Sequence, residues 1–403
     1  MNNSGNKQQQ SLKSLHAEAQ AISYDIVAFR RCLHEEPELS LDEGETARKV
    51  ADQLRLLGLS PRMGIGGHGI IADLIYSEDG PTIALRADMD ALPIQEETGL
   101  SFSSKRPGRM HACGHDGHTA MLVGAAKLLT QWQVPLKGRI RLLFQAAEEI
   151  NAGAKALIAG GALDGVDEIY GLHNLPTLAN GMAATRQGAL MGSVDRIEIE
   201  LTGKGGHGAI PDQSIDPIVA ASAIVMGLQT AVSREISPFE PAVVTIGSLQ
   251  AGEANNVIPH RAVLTGTVRT FAKSTQLGME MRLSRIIRSI AEAYRCEVEI
   301  RYVEQTPVLT NHDQCLRHVE SVIDQMLLPE QRVQAEPTMA GEDFSLYLEK
   351  IPGCFFWLGS GPKENADQAF GLHHPKYTLH EECLPIGAAL LAGIAVSRLQ
   401  KGV

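Results

Sequence analysis

Residue types that ligate metals recur where short apolar runs end, and this pattern constrains the fold of the chain more than any other. Thr82-Ile83-Ala84-Leu85-Arg86 reads as a buried strand leading to Asp88 and Asp90. Arg139 to Phe144 alternates polar and apolar residues as a strand does, and Glu148-Glu149 follow. Ile169-Tyr170-Gly171-Leu172 reads as a further strand, with His173 just beyond. Cys354 to Leu358 is another apolar run, with His373 and His374 downstream. The densest stretch is His111-Ala112-Cys113-Gly114-His115-Asp116-Gly117-His118. In open α/β sheets, ligands bind outside the carboxyl ends of the strands. The pattern therefore predicts an α/β domain with a polar site at one end of its sheet.

Helical spacing of Leu15, Ile22, Ile26, Phe29 and Leu33 predicts a helix over 11–35. A second is predicted over 116–131, with Asp116 as its N-cap. The middle of the chain behaves differently. Val194, Ile197, Ile199 and Leu201 mark a strand, and Asp216-Pro217 open a helix over 216–234. Strands over 242–249 and 261–270, a helix over 275–294 and a strand over 296–303 complete a β-α-β-β-α-β order, that of ferredoxin-like domains. The expected organisation is an outer domain in two parts, 1–186 and 303–403, interrupted by an inserted α+β domain over 187–302.

A net charge of −11 argues against a protein that tracks nucleic-acid phosphates. No run of about 18 apolar residues occurs, so no membrane span is expected. The first ten residues carry no apolar leader and read as a disordered tail. The six cysteines are scattered without a CxxC pair, which fits buried thiols in a reducing cytoplasm.

Thiolate, imidazole and carboxylate together suit Zn, Mn or Co better than Mg or Ca. Cys113 and His115 precede a helix start, where the helix dipole favours an anion. Taken singly, each of these residues has a plainer reading: a hydrogen-bonded histidine, a solvated Glu-Glu pair, a Gly-Gly turn. Cys113-Gly114-His115 also fits a nucleophilic thiol with its base. Agreement among separate segments under one topology favours the metal site.

These motifs resemble those of the dinuclear-metal amidohydrolases of the aminoacylase, hippurate hydrolase and auxin-conjugate hydrolase type, relatives of the glutamate-releasing carboxypeptidases. The resemblance runs from about His34 to Ala392. It rests on Arg31 to Ser40, Leu85 to Pro93, Met110 to Asp116, Phe144 to Glu149, Gly171 to Asn174, Gly205-Gly206-His207, Asn256 to Pro259, Gly341 to Phe344 and Leu372 to Pro375, in that order and spacing.

The resemblance implies a mixed-sheet metallopeptidase catalytic domain carrying a ferredoxin-like lid and dimerisation domain. It implies two divalent metals, with Cys113 bridging, His115 and His173 completing one site, and Glu149 and His373 the other. His374 is the fallback for His373. Glu148 is implied as general base. His207, Asn256 and Arg269 are implied as substrate-contacting residues, with His207 donating to the oxyanion and, in related enzymes, supplied by the partner subunit of a homodimer. Asp90, with Asp88, is read as orienting histidine ligands. The implied reaction is metal-dependent hydrolysis of N-acyl amino acids, with a dipeptidase or carboxypeptidase as runner-up. A carbamoylase is disfavoured, because Ala87-Asp88-Met89-Asp90 stands where those relatives carry a His-x-Asp motif.

Overall fold

The computed structural model of the chain describes residues 11–400, so the tail expected over 1–10 lies outside the described residues. The chain forms two compact units. The first comprises residues up to Gly188, Thr310–Glu336 and the stretch from Leu346 onward; the second comprises Ala189–Leu309 and Pro337–Ser345. Sequence patterning leaves Pro337–Ser345 with the outer domain. Backbone hydrogen bonds place it in the inserted unit instead: Gly192 N donates to Thr338 O at 2.9 Å and to Ala340 O at 3.1 Å, and Thr338 N donates to Leu190 O at 3.1 Å.

The first unit is built on an eight-stranded mixed sheet. In spatial order its strands are Arg62–Ile65, Gly69–Ile75, Arg139–Gln145, Thr82–Asp88, Glu168–Ala179, Gly353–Gly361, Ala183–Thr185 and Arg332–Gln334. From Arg139–Gln145 to Gly353–Gly361 the neighbours run parallel. Parallel strands covered on both faces need not alternate, and Ile83 to Asp88 are all buried. Arg139–Gln145 is likewise buried beyond its first residue, despite its alternating sequence. Arg141 goes inside because it pairs with Asp73 and donates to the carbonyls of Ala162 and Asp164. The strand expected to stop at Leu172 continues to Ala179, with His173 opposite Trp357 in register. His173 therefore lies within a strand and not beyond it.

Helix His115–Thr130 packs on Thr82–Asp88 and against helix Cys383–Gln400, and both helices are almost wholly buried. Asp116 is not the N-cap of the first. Gly114 holds that position in a left-handed conformation (φ 84°) that glycine adopts freely. Asp116 instead sits in the first turn and pairs with Arg30 Nε and His34 Nδ1, both at 2.7 Å. The single helix expected over 11–35 is two, Leu12–Ala21 and Ser23–His34, because the backbone leaves helical geometry at Ile22 (φ −104°, ψ 10°).

The second unit has a four-stranded antiparallel sheet in the order Ala242–Ala251, Arg261–Thr270, Val194–Thr202, Glu297–Thr306. Helices Pro217–Glu235 and Lys273–Ala293 complete the ferredoxin-like order. The Asp216 side chain caps the first of these by accepting from Ile218 N at 2.8 Å. Ile197, Ile199 and Leu201 pack with Ala220, Ile224, Leu283 and Ile287 to form its core. Among the described residues, Pro217–Glu235 and Cys383–Gln400 are long and apolar enough to cross a membrane by length and composition. Cys383–Gln400 is apolar all round because it is a core helix of the first unit. Pro217–Glu235 buries one side in the core of the second unit.

Candidate metal centre

The segments expected to converge do so. Donor atoms of Cys113, His115 and His173 lie within 4.8 Å of one another, and so do those of Cys113, Glu149 and His373. The two groups share Cys113. Its Sγ is 3.4 Å from His173 Nε2. Glu149 reaches both ways, with Oε2 3.4 Å from His373 Nε2 and Oε1 3.8 Å from His115 Nε2. Glu148 is buried and has a carboxylate oxygen within 4.8 Å of donors of His115 and Glu149. His374 turns elsewhere: its ring stacks on Phe370 at 4.4 Å, and its Nδ1 accepts from Lys376 N at 3.0 Å.

The residues fit a pair of cations. His115 Nε2 and Glu149 Oε1 are buried with no hydrogen-bond partner, an arrangement that is costly unless something else satisfies them. Acidic groups crowd the same place. Burial pushes the Cys113 thiol well up, and Glu149, Glu148 and Asp88 push it further. For His115, burial opposes the charged form, but Asp88 and Asp90 outweigh it and raise the ring to about 10. His173 goes the other way, held well below its ordinary value by burial and then by His118. A raised thiol pKa is the opposite of what a nucleophilic cysteine requires. A thiolate at Cys113 calls for a cation beside it.

Hydrogen bonds orient the two buried histidine donors. His115 Nδ1 faces the Asp90 carbonyl at 2.9 Å and Asp90 Oδ1 at 3.3 Å. His173 Nδ1 faces the Asn174 carbonyl at 2.7 Å, which leaves Nε2 toward Cys113. Asp90 Oδ2 accepts from the Ser40 hydroxyl at 2.7 Å and from Glu149 N at 3.0 Å. Asp88 serves a different purpose. It takes Arg86 Nη1 and His118 Nδ1, each at 2.6 Å, and His118 Nε2 accepts from Asn174 N at 2.9 Å. Asn174 Nδ2 then donates to the Cys113 carbonyl, while Tyr377 and Ser360 hydroxyls donate to Asn174 Oδ1.

Sequence reading left His118 without a place and gave Asn174 and Glu43 no role. Glu43 Oε1 accepts from Ala147 N at 2.8 Å, one residue before Glu148. Asn174 had a visible signal in its adjacency to His173; Glu43 had none. His111, also left without a place, is buried, and both its ring nitrogens lack partners.

Three further candidates lie in the inserted unit. His207 and Asn256 are exposed neighbours: His207 pairs in register with Val257, and Gly208 N donates to Asn256 O at 2.8 Å. Arg269 is half-buried on Arg261–Thr270, and its Nη1 is buried without a partner. Burial lowers its pKa, against the pull of Asp195.

Comparison with known proteins places this geometry in a family. The model of Peptidase family M20/M25/M40 matches residues 84–397. N-acetylcysteine deacetylase of Bacillus subtilis is 45% identical over 93% of this chain and 97% of its own length. IAA-amino acid hydrolase ILR1-like 2 of Arabidopsis thaliana is 41% identical over 93% of this chain and 85% of its own. The crystal structure of the YXEP protein of Bacillus subtilis, a dinuclear metal binding peptidase from the M20 family, superposes with a TM-score of 0.81 at 41% identity, covering 94% of this chain and 99% of that one. With a matching family model over most of its length and a metal-donor cluster built around Cys113, this chain belongs to the M20/M25/M40 peptidase family.

Proposed function

We propose that the protein hydrolyses the amide bond of N-acyl amino acids, releasing a carboxylic acid and a free amino acid. The observation that carries this reading is the pair of donor sets sharing Cys113, with Glu148 beside them. Cys113, His115 and His173 would hold one divalent ion, and Cys113, Glu149 and His373 the other, with Zn, Mn or Co suiting a thiolate-imidazole-carboxylate set. Two such ions, when bound, would lower the pKa of a water and polarise the scissile carbonyl. Glu148 would take the proton of the attacking water and pass it to the leaving amine. Asp90 keeps His115 in one orientation and tautomer through the contacts at its Nδ1.

The inserted unit supplies the remaining groups in this reading. His207 donates to the oxyanion as the carbonyl becomes tetrahedral. Asn256 binds the substrate, and Arg269 takes its α-carboxylate. Support for the last role is the buried Arg269 Nη1, which has no partner of its own. A homodimer through this unit completes the proposal. Its support is apolar exposure on that unit, including Phe239 (94% exposed), Met226 (73%) and Met281 (71%). A reducing cytoplasm is the proposed setting, since all six cysteines are free and five are buried.

The test is a substrate panel on metal-stripped protein reloaded with Mn, Co or Zn. N-acetyl and N-benzoyl amino acids should be cleaved, dipeptides more slowly, and the stripped protein should be inactive. Full activity without metal would overturn the proposal. Faster turnover of dipeptides than of every N-acyl amino acid would favour the dipeptidase reading.

A further inference from the structure

Ala147, the residue before Glu148, has φ 55°. A left-handed conformation is disfavoured for a residue with a Cβ and persists only where its surroundings dictate it. The surroundings here are specific. Ala147 N donates to Glu43 Oε1 at 2.8 Å. Its carbonyl accepts from Gly153 N at 3.0 Å and Ala152 N at 3.2 Å, and Asn151 N donates to Glu148 O at 2.7 Å. On the far side of Glu148, Glu149 N donates to Asp90 Oδ2 at 3.0 Å. Two buried carboxylates thus hold the backbone on either side of Glu148.

Glu43 is fully buried, and it reaches Ala147 across 104 positions of sequence. It is also the N-cap residue of helix Gly44–Leu56, yet its side chain makes no capping bond to that helix. A capping acid ordinarily satisfies the exposed N–H groups of its own helix. Here the carboxylate is directed to Ala147. The same loop sends the Ser40 hydroxyl to Asp90 Oδ2 at 2.7 Å, so one stretch of chain secures both supports.

We propose that Glu43 is a positioning residue, whose carboxylate holds the left-handed turn at Ala147 and thereby aims Glu148 and Glu149. This inference rests on the roles proposed above for those two glutamates. The bond from Ala147 N needs an acceptor and not a charge, so glutamine in place of Glu43 preserves it. Glycine in place of Ala147 adopts the left-handed conformation without help.

The experiment compares Glu43→Ala, Glu43→Gln, Glu43→Ala with Ala147→Gly, and Glu148→Ala, each loaded with Co. The readouts are kcat and KM on an N-acetyl amino acid, bound metal, and the visible spectrum of the Co protein. Glu43→Ala should lower kcat by about 10- to 100-fold, the range typical of outer-shell supports, with KM changed less than about twofold. Its Co spectrum should shift, because Glu149 moves. Adding Ala147→Gly should recover at least about a third of the lost kcat and return the spectrum toward that of the parent. Unchanged kcat and spectrum in Glu43→Ala, or no recovery with Ala147→Gly, would overturn the inference. Should Glu43→Ala not fold, Glu43→Gln decides: kcat within about threefold of the parent supports the inference and a larger loss overturns it. Near-parental turnover in Glu148→Ala would instead defeat the general-base reading, whatever the Glu43 variants do.

Discussion

The Asn174 side-chain amide donates to the backbone carbonyl of Cys113 at 2.6 Å. That bond joins a parallel strand of the sheet to the turn that carries the shared thiol. Asn174 is held in its turn by Tyr377 at 2.7 Å, Ser360 at 2.9 Å and His118. Replacing Asn174 with alanine should free the Cys113 turn and leave the Tyr377 and Ser360 hydroxyls without their acceptor. Metal affinity should fall by about 10- to 100-fold, the usual effect of losing an outer-shell partner. Titration of the stripped variant with Co, followed through its thiolate absorption, measures this. Parental affinity would show that the turn holds itself.

Glu148→Ala should retain two metals per subunit and lose turnover by about 10²- to 10⁴-fold, the span associated with a general base. Elemental analysis and a hydrolysis assay on the same preparation separate the two effects. Loss of metal together with turnover would identify Glu148 as a ligand.

Arg269→Ala should raise KM for substrates with a free α-carboxylate roughly 10- to 100-fold, since a hydrogen bond to a charged group is worth about 1.5–3 kcal/mol. The matching amides and esters should change little. An equal rise for both would place Arg269 in general support of the fold.

The Glu168–Arg398 pair gives a pH-dependent stability. Burial alone would raise the Glu168 carboxyl, but hydrogen bonds from Arg398 and Tyr170 outweigh it, and the pKa lies below the ordinary glutamate value. A depressed folded-state pKa contributes stability that is fully present above the unfolded value of about 4.3 and is lost as pH falls through the folded value. Glu168→Gln should therefore be less stable than the parent at neutral pH by about 1–3 kcal/mol, with the gap closing in acid. Urea unfolding across that range checks it, and a gap independent of pH would contradict the assignment.

Much of the candidate site was legible because each donor sits in a short local pattern. Cys113 and His115 are two apart, Glu148-Glu149 follow a strand, and His373 follows Gly371-Leu372. The inserted unit was legible for a similar reason, as Asp216-Pro217 and the run Val194 to Leu201 announce their elements locally. What could not be read were contacts closed by the fold. Glu43 meets Ala147, His118 meets Asp88, and Arg30 meets Asp116 through side chains separated by long stretches of sequence. Asp116 shows how this misleads: an acid ahead of a helix suggests a cap, but burial beside Arg30 and His34 gives it another task, and Gly114 supplies the turn. Nor could local pattern assign Pro337–Ser345, whose place depends on backbone bonds to Leu190 and Gly192.

That last segment bears on how the protein can be re-engineered. The chain passes between its two units at 188/189, 309/310, 336/337 and 345/346, four crossings where a simple insertion has two. A chimaera that exchanges only the contiguous stretch with a relative would mate a foreign scaffold with a native Pro337–Ser345, breaking the match at Thr338 and Ala340. An exchange of the inserted unit should move both pieces of sequence together.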